Sequence, residues 1–318
     1  MRTVIGVDLG GTNMVSVVMD AKGRVLGKDK RPTLAKLGSK KVLERIVQSV
    51  RAASHNSGLP WSSHAAIGIG SPGPLDQKRG IVLYSPNLRW HNIPIVAILS
   101  RKLGKKVLLE NDANAAALGE SWIGAGKGEK VVLCVTLGTG VGGGVVLDGH
   151  IYQGASGVSN HVGHIVVDPD GPVGPTGNRG ILEMYSSTIG ITRMAKEARL
   201  KIPKGADNGP KTVTMMAKKG NAAAKRIYTT AGRMLGVGLT SAIHLFNPSV
   251  VIFSGGVSRA GDLLFGPMRR ELRERCFKSH LKGLKFRMAR LGDNMGAVGA
   301  ARLAWQSLEP KNPRKRLS

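Results

Sequence analysis

Short β-branched runs that end at glycine or aspartate turns set the pattern of this chain. Val4-Ile5-Gly6-Val7 reads as a buried strand, Gly10-Gly11-Thr12-Asn13 as a tight turn, and Met14 to Met19 as the strand that returns from it. One constant offset carries Val7-Asp8-Leu9-Gly10 onto Val135-Thr136-Leu137-Gly138, and Val17-Val18-Met19-Asp20 onto Val145-Val146-Leu147-Asp148, with no gap between them. Each copy is a strand, a Gly/Thr turn and a strand, and each closes on a second turn, Asp20 to Gly23 or Asp148-Gly149. A unit that recurs in this way predicts two related halves.

Elsewhere the period changes. Arg24-Val25-Leu26 predicts a third strand, followed by a polar loop to Lys36. Val42, Leu43, Ile46, Val47 and Val50 fall on one helical face, so a helix capped by Ser39 is expected to run to about Ser54. Ala65 to Ile69 reads as a strand ending in Ser71-Pro72-Gly73-Pro74, and Lys106 to Leu109 as another. Asn92 with Pro94 predicts a capped helix start. Gly154 to Glu183 is rich in Gly, Pro, His and Asp without periodicity, the character of a long functional loop. A helix from about Asn221 to Leu245, the strand Val250 to Phe253, a strand near Phe286 and a helix from about Met295 to Gln306 complete the reading.

The 318 residues, 42% of them hydrophobic, suffice for two α/β lobes. No apolar run is long enough to cross a membrane, and the first strand starts too early for a signal peptide. Cys134 and Cys276 make neither a disulfide framework nor a zinc cluster, so a cytoplasmic protein is expected. The net charge of +27 attracts polyanions without specificity. The basic residues are dispersed, the densest run being Lys311 to Arg316, and aromatic residues are only 4%, too few for base-stacking platforms. A solvated surface is therefore favoured over specific nucleic-acid binding.

Candidate chemistry gathers at the junctions. The turn after Asp8 offers backbone N–H groups beside a carboxylate, which suits phosphate oxygens and magnesium. An ordinary hairpin would use the same glycines, and it is the second copy that favours a nucleotide site. Only the first copy keeps a carboxylate, since Thr136 stands where the first has Asp8. Asn111 and Asp112 fall where a strand ends and an alanine-rich helix begins. Asp112 there either caps the helix or accepts a proton from a hydroxyl. Gly138-Thr139-Gly140-Val141-Gly142-Gly143 matches Gly-x-Gly-x-x-Gly, but a strand and an Asp-Gly turn follow instead of a helix, so a dinucleotide fold is rejected.

Several stretches together resemble the ROK family (repressors, uncharacterised frames and sugar kinases) of the actin/hexokinase-like ATPases. They are Asp8 to Thr12, Ser71 to Asp76, Glu110 to Asn114, Leu137 to Gly144, Gly163-His164 and Gly177 to Glu183. The resemblance implies an α/β fold of two ribonuclease-H-like lobes with the active site in the cleft between them. Residues 1–111, completed by a helix at 295–306, would form the small lobe, 112–294 the large lobe, and 307–318 a basic disordered tail. It implies Asp112 as general base for a sugar 6-hydroxyl, with Asn111, His164 and Glu183 holding sugar hydroxyls and Gly73 and Asn87 lining the pocket; His161, which departs from the family's pattern, is a further candidate for a sugar contact. Gly10, Gly11, Thr12, Asn13, Gly138, Thr139 and Gly140 would bind the phosphates of ATP. Gly255 and Gly256 would face the nucleoside, and Asp8 the magnesium side. The family's repressors carry an N-terminal helix-turn-helix domain, whereas this chain starts at the phosphate strand and looks like a kinase.

Two departures stand out. His161 occupies the first position of a run that in ROK kinases is commonly Glu-x-Gly-His. The loop from Gly174 to Ile181 lacks the cysteines that commonly bind structural zinc, so zinc is not expected. His161 and His164 would share a metal only if Asp168 joined them. The expected function is ATP- and magnesium-dependent phosphorylation of a hexose, glucose foremost, by a homodimer. Another hexose or N-acetylhexosamine, polyphosphate as donor, and a non-catalytic sugar-binding regulator remain the alternatives.

Overall fold

The computed structural model describes residues 1–310. The basic run Lys311 to Arg316 lies outside them. By contacts the chain divides into two units, Met1–Lys127 with Gln153–Val158 and the described residues from Arg290 onward, and Gly128–Tyr152 with Ser159–Ala289.

The first unit opens with β1 (Thr3–Leu9), β2 (Asn13–Met19) and β3 (Val25–Pro32), an antiparallel meander. Helix α1 (Ser39–Asn56), β4 (His64–Ser71), a small sheet of β5 (Leu75–Asp76), β6 (Ile81–Ser85) and β7 (Trp90–Ile93), α2 (Ile95–Leu103), β8 (Lys106–Asn111) and α3 (Asp112–Trp122) follow. The main sheet runs β3-β2-β1-β4-β8, with β4 parallel to both β1 and β8.

The second unit repeats that plan. It contains β9 (Val131–Leu137), β10 (Val141–Leu147), β11 (His150–Ile151), α4 (Glu183–Ser186), α5 (Thr188–Glu197), α6 (Pro210–Lys218) and α7 (Ala222–Phe246). Then come β12 (Val250–Ser254), α8 (Asp262–Arg275), α9 (Lys278–Leu281) and β13 (Lys285–Met288). Its sheet order, β11-β10-β9-β12-β13, matches the first, antiparallel strands and then parallel ones. The offset read from the sequence carries β1 onto β9 and β2 onto β10 at both ends of each strand. The chain then re-enters the first unit with α10 (Met295–Gln306).

Alternation of side chains gives the first sheet two apolar faces. Ile5, Val7, Ile67 and Ile69 pack with Val42, Ile46 and Val50 of α1 on one face. Val4, Val17 and Met19 pack with Ala297, Ala301 and Ala304 of α10 on the other. Each fully buried Val or Ile of α1 contributes about 1.5–3 kcal/mol relative to exposure. The backbone of α10 rests almost directly on the sheet, because a methyl at Gly68 would run into the Ala300 carbonyl. In the second unit α7 supplies Ile227, Tyr228, Leu235 and Leu239 to the core built on β9 and β12.

Four expectations change. The third strand continues through Pro32 in place of a loop, since Gly27 to Pro32 pairs with β2 along a polar edge. Ser39 is the first residue of α1, and Gly38 stands at its cap. Asn92 lies in β7 with a left-handed backbone (φ 48°), and α2 starts after Pro94 without a side-chain cap. The division falls after Lys127, later than Asn111, because α3 packs closely on α10. A methyl on Gly299 of α10 would strike the Ala115 carbonyl of α3.

Candidate active site

In the first unit the turn between β1 and β2 holds itself with one bond, from Gly10 N–H to the Asn13 carbonyl at 3.0 Å. The N–H groups of Gly11 and Thr12 donate to no acceptor among the described residues, so two successive donors face outward. Thr33, just beyond β3, braces the turn from behind. Its N–H donates to the Thr12 carbonyl at 2.8 Å and its hydroxyl to the Gly10 carbonyl at 2.6 Å. Asn87 backs onto Gly11, whose added methyl would stand 2.9 Å from the Asn87 Cβ. Gly73 has φ 99° and presses on the Tyr84 carbonyl, a position open only to glycine.

Asp8 sits near the end of β1, where a methyl on Gly296 at the start of α10 would be 2.5 Å from its carboxyl carbon. Burial, then Asp112, then Asp293 push its pKa up to about 7. Asn111, not Asp112, caps α3: its Oδ1 accepts from Ala113 N–H at 3.0 Å and from Asn114 N–H at 3.3 Å. Asp112 is the first helical residue, and its Oδ1 also accepts from Ala113 N–H, at 2.9 Å. Burial raises the Asp112 pKa, against the opposing hydrogen bonds from Ala113 and Asn111. Asp112 is thus freed from capping and made more basic than an ordinary carboxylate, as a proton acceptor requires.

In the second unit the turn is closed by Gly138 N–H to the Gly140 carbonyl at 3.0 Å. The N–H groups of Thr139 and Gly140 again find no acceptor among the described residues. Thr188 at the start of α5 braces this turn, its N–H donating to the Gly138 carbonyl at 2.9 Å. Glu183 lies against it, Oε2 accepting from Val141 N–H at 3.0 Å where a methyl on Gly140 would collide. Gly255 (φ 91°) packs on the Leu137 carbonyl, so the Gly255-Gly256 turn adjoins the Gly138 turn.

His161 and His164 flank a short 3-10 turn with their rings 5.9 Å apart and nearly perpendicular. Gly163 between them packs on the carbonyl of Val141, the residue whose N–H donates to Glu183. Partial burial, then His164, lowers the His161 pKa. Asn178 Nδ2 lies 3.4 Å from His164 Nδ1, within hydrogen-bond reach. Asp168 accepts from the Tyr185 hydroxyl at 2.5 Å instead of joining the histidines. Burial and then that bond push the Tyr185 pKa up to about 12. Among the described residues no group of three or more His, Cys, Asp or Glu could hold a metal ion by itself.

Every residue expected at the site therefore falls into one of two sets. Asp8, Gly10 to Asn13, Gly73, Asn87, Asn111 and Asp112 belong to the first unit. Gly138 to Gly140, His161, His164, Glu183, Gly255 and Gly256 belong to the second. Thr33 and Thr188 escape sequence reasoning, since nothing near either residue marks it as a brace for a distant turn.

The model of the ROK family matches residues 4–307. The chain belongs to the ROK family. A glucokinase of Thermotoga maritima is 39% identical over 94% of this chain and 96% of its own. The fold matches that of a ROK hexokinase from Thermus thermophilus with a TM-score of 0.85 at 34% identity, over 96% of this chain and 99% of that one. A ROK glucokinase from Streptomyces griseus, in complex with glucose and AMPPNP, matches with a TM-score of 0.79 at 35% identity over the same shares. The fold is thus the actin/hexokinase-like fold of ROK sugar kinases. His161 remains this member's departure at the Glu-x-Gly-His run.

Proposed function

We propose that this chain is a sugar kinase transferring the terminal phosphoryl group of ATP to the 6-hydroxyl of a hexose, with glucose the leading acceptor. The observation that carries the reading is Asp112, relieved of capping by Asn111 and held more basic than usual at the start of α3. Asp112 accepts the proton of the 6-hydroxyl as its oxygen attacks phosphorus. Asn111, His161, His164 and Glu183 hold sugar hydroxyls, with Gly73 and Asn87 lining the pocket. The paired free N–H groups of Gly11-Thr12 and Thr139-Gly140 receive phosphate oxygens, and Gly10, Asn13 and Gly138 shape those turns. Gly255 and Gly256 face the nucleoside.

The residues fit a magnesium ion. Asp8 is crowded by Asp112 and Asp293, a repulsion that a divalent cation relieves, and magnesium is usually held by one or two carboxylates plus phosphates. Asp8 would hold it, and the ion would neutralise charge on the transferred group. Names of relatives favour ATP and glucose: glucokinase in Thermotoga maritima, and glucose with AMPPNP in the Streptomyces griseus complex. We further infer a cytoplasmic homodimer that binds nucleic acid only through its dispersed charge, an interaction that salt abolishes.

ADP release measured against glucose, mannose, fructose, N-acetylhexosamines and allose, with ATP and polyphosphate as donors, tests the reading. Glucose with ATP and magnesium is expected to give the highest kcat/KM. No turnover with any acceptor, alongside intact sugar binding, would leave the non-catalytic regulator in its place.

A further inference from the structure

Glu110 is the penultimate residue of β8, is wholly buried, and pairs with no cation among the described residues. Its carboxylate collects four neutral N–H donors instead. Oε1 accepts from Gln77 Nε2 at 2.6 Å, Asn111 N–H at 2.9 Å and Asn114 Nδ2 at 3.0 Å. Oε2 accepts from Gln153 Nε2 at 2.9 Å. A buried carboxylate without a cation is costly, and full satisfaction by donors is what makes it tenable.

Those donors come from three separate stretches. Asn111 and Asn114 belong to the turn that carries Asp112. Gln77 follows the Ser71–Asp76 loop. Gln153 begins the segment Gln153–Val158, which packs with the first unit although the chain on both sides belongs to the second. This strap is solvent-exposed apart from Gly157. Gly157 (φ 84°) lies on Gln77, and a methyl there would be 2.9 Å from Gln77 Oε1. The strap thus meets two amides, that of Gln153 and that of Gln77, and both bond to Glu110.

We propose that Glu110 is a positioning residue for sugar binding, locking the Asn111-Asp112 turn, Gln77 and the Gln153–Val158 strap into one register. This rests on the sugar-kinase reading, since Asn111 is the sugar-binding group through which Glu110 acts.

The test is a charge exchange. In Gln153→Glu two carboxylates would face each other where a hydrogen bond of 2.9 Å now stands, and the strap is expelled. In Glu110→Gln the amide oxygen takes over the three donors on Oε1, and Gln153 turns its own amide to accept the new N–H. In the double variant the amide introduced at position 110 donates to the carboxylate introduced at position 153, and the lock re-forms. Expected for Gln153→Glu is a rise in sugar KM and in calorimetric sugar Kd on the order of tenfold, the loss of one charge-assisted bond. The KM for ATP is expected to stay within about twofold. The double variant is expected to return to within about threefold of the parent. A rise that the exchange does not reverse, or no rise at all, overturns the proposal. Hydrogen exchange of the 153–158 amides is the readout independent of sugar. It should accelerate in Gln153→Glu and recover in the double variant. Unchanged exchange removes the lock even if the kinase reading stands. A parent that neither binds nor phosphorylates any hexose removes the kinase reading, while exchange still decides the lock.

Discussion

Replacing Asp112 by Asn isolates proton transfer from architecture. The Asn side chain keeps a carbonyl oxygen for Ala113 N–H, now 2.9 Å from Asp112 Oδ1. Asn111 continues to cap α3 through its own bonds of 3.0 and 3.3 Å. The substitution removes one negative charge from a helix N-terminus, worth about 0.3–1 kcal/mol, and relief of a buried charge offsets part of that. Melting temperature should therefore barely move. Turnover should fall by about 10²–10⁴, or roughly 3–5 kcal/mol on the barrier, the usual contribution of a positioned base. Sugar KM should change little. Wild-type kcat/KM should decline on the acid side, because the base form is lost as pH falls through a pKa raised above the carboxylate range. Asp8, pushed up to about 7, interacts with Asp112, so that limb reports the pair. The assay is coupled ADP release from pH 5 to 9, with calorimetric sugar binding alongside. Turnover of the purified, folded variant within about threefold of wild type would refute the assignment.

Glu120 ties α3 to the chain re-entering at Arg290, accepting from Ala125, Arg290 and Leu291 N–H at 2.7, 3.0 and 2.8 Å. Glu120→Ala removes the acceptor of one buried and two partly buried N–H groups, so denaturant unfolding should show a loss of about 1–3 kcal/mol. His64 is buried between Thr3 and Ser54, each 2.7 Å from a ring nitrogen, and burial, then Lys105, lowers its pKa. The unfolded chain then binds the extra proton more readily, so this stability is full above the unfolded pKa of about 6.5 and is lost as pH falls towards the lowered folded value. Melting temperatures at pH 7.5 and 5.5 should differ more in wild type than in His64→Gln, and equal differences would dismiss His64 as the cause. His161→Glu replaces a donor–acceptor group by an acceptor alone, so hexose ranking should shift towards glucose and the acid-side change of sugar KM should flatten. Coincident KM profiles for every hexose would leave His161 outside the sugar site.

Much of the fold is legible because it rests on local signals. The strands around both Gly/Thr turns follow from β-branched runs, and the helix from Ala222 to Phe246 from its apolar spacing and the Asn221 cap. The extension of β3 is not legible, since Lys28-Asp29-Lys30-Arg31 has a polar composition and is held as a strand by its partner β2 and by bonds from Ser49 and Asn56 of α1. Asp112 illustrates a finer limit. Sequence leaves cap and base as alternatives, and only the Asn111 Oδ1 geometry assigns the cap to its neighbour. Glu110 adjoins the motif yet shows its use only when Gln77 and Gln153 arrive from far along the chain. Groups that serve through long-range contacts leave no local trace.

The duplication itself explains why the two turns differ. Matching strands begin and end at equivalent residues, yet Leu9 faces Met14 whereas Leu137 faces Val141, the equivalent of Asn13. The second ladder is therefore slipped by one residue and its turn is one residue shorter. Each turn still leaves two successive N–H groups free, which is the property a phosphate requires. What changes is the carboxylate beside them. In the first copy it is fixed within the strand as Asp8, against the start of α10 and near Asp112 and Asp293, whose charges help to raise its pKa. In the second copy the strand carries Thr136, and a carboxylate arrives instead from α4, as Glu183 on the Val141 amide. In the slipped register the Val141 amide is the one that Glu183 Oε2 accepts from. The two turns thus differ in register and in the source of their carboxylate, the strand itself in one copy and α4 in the other.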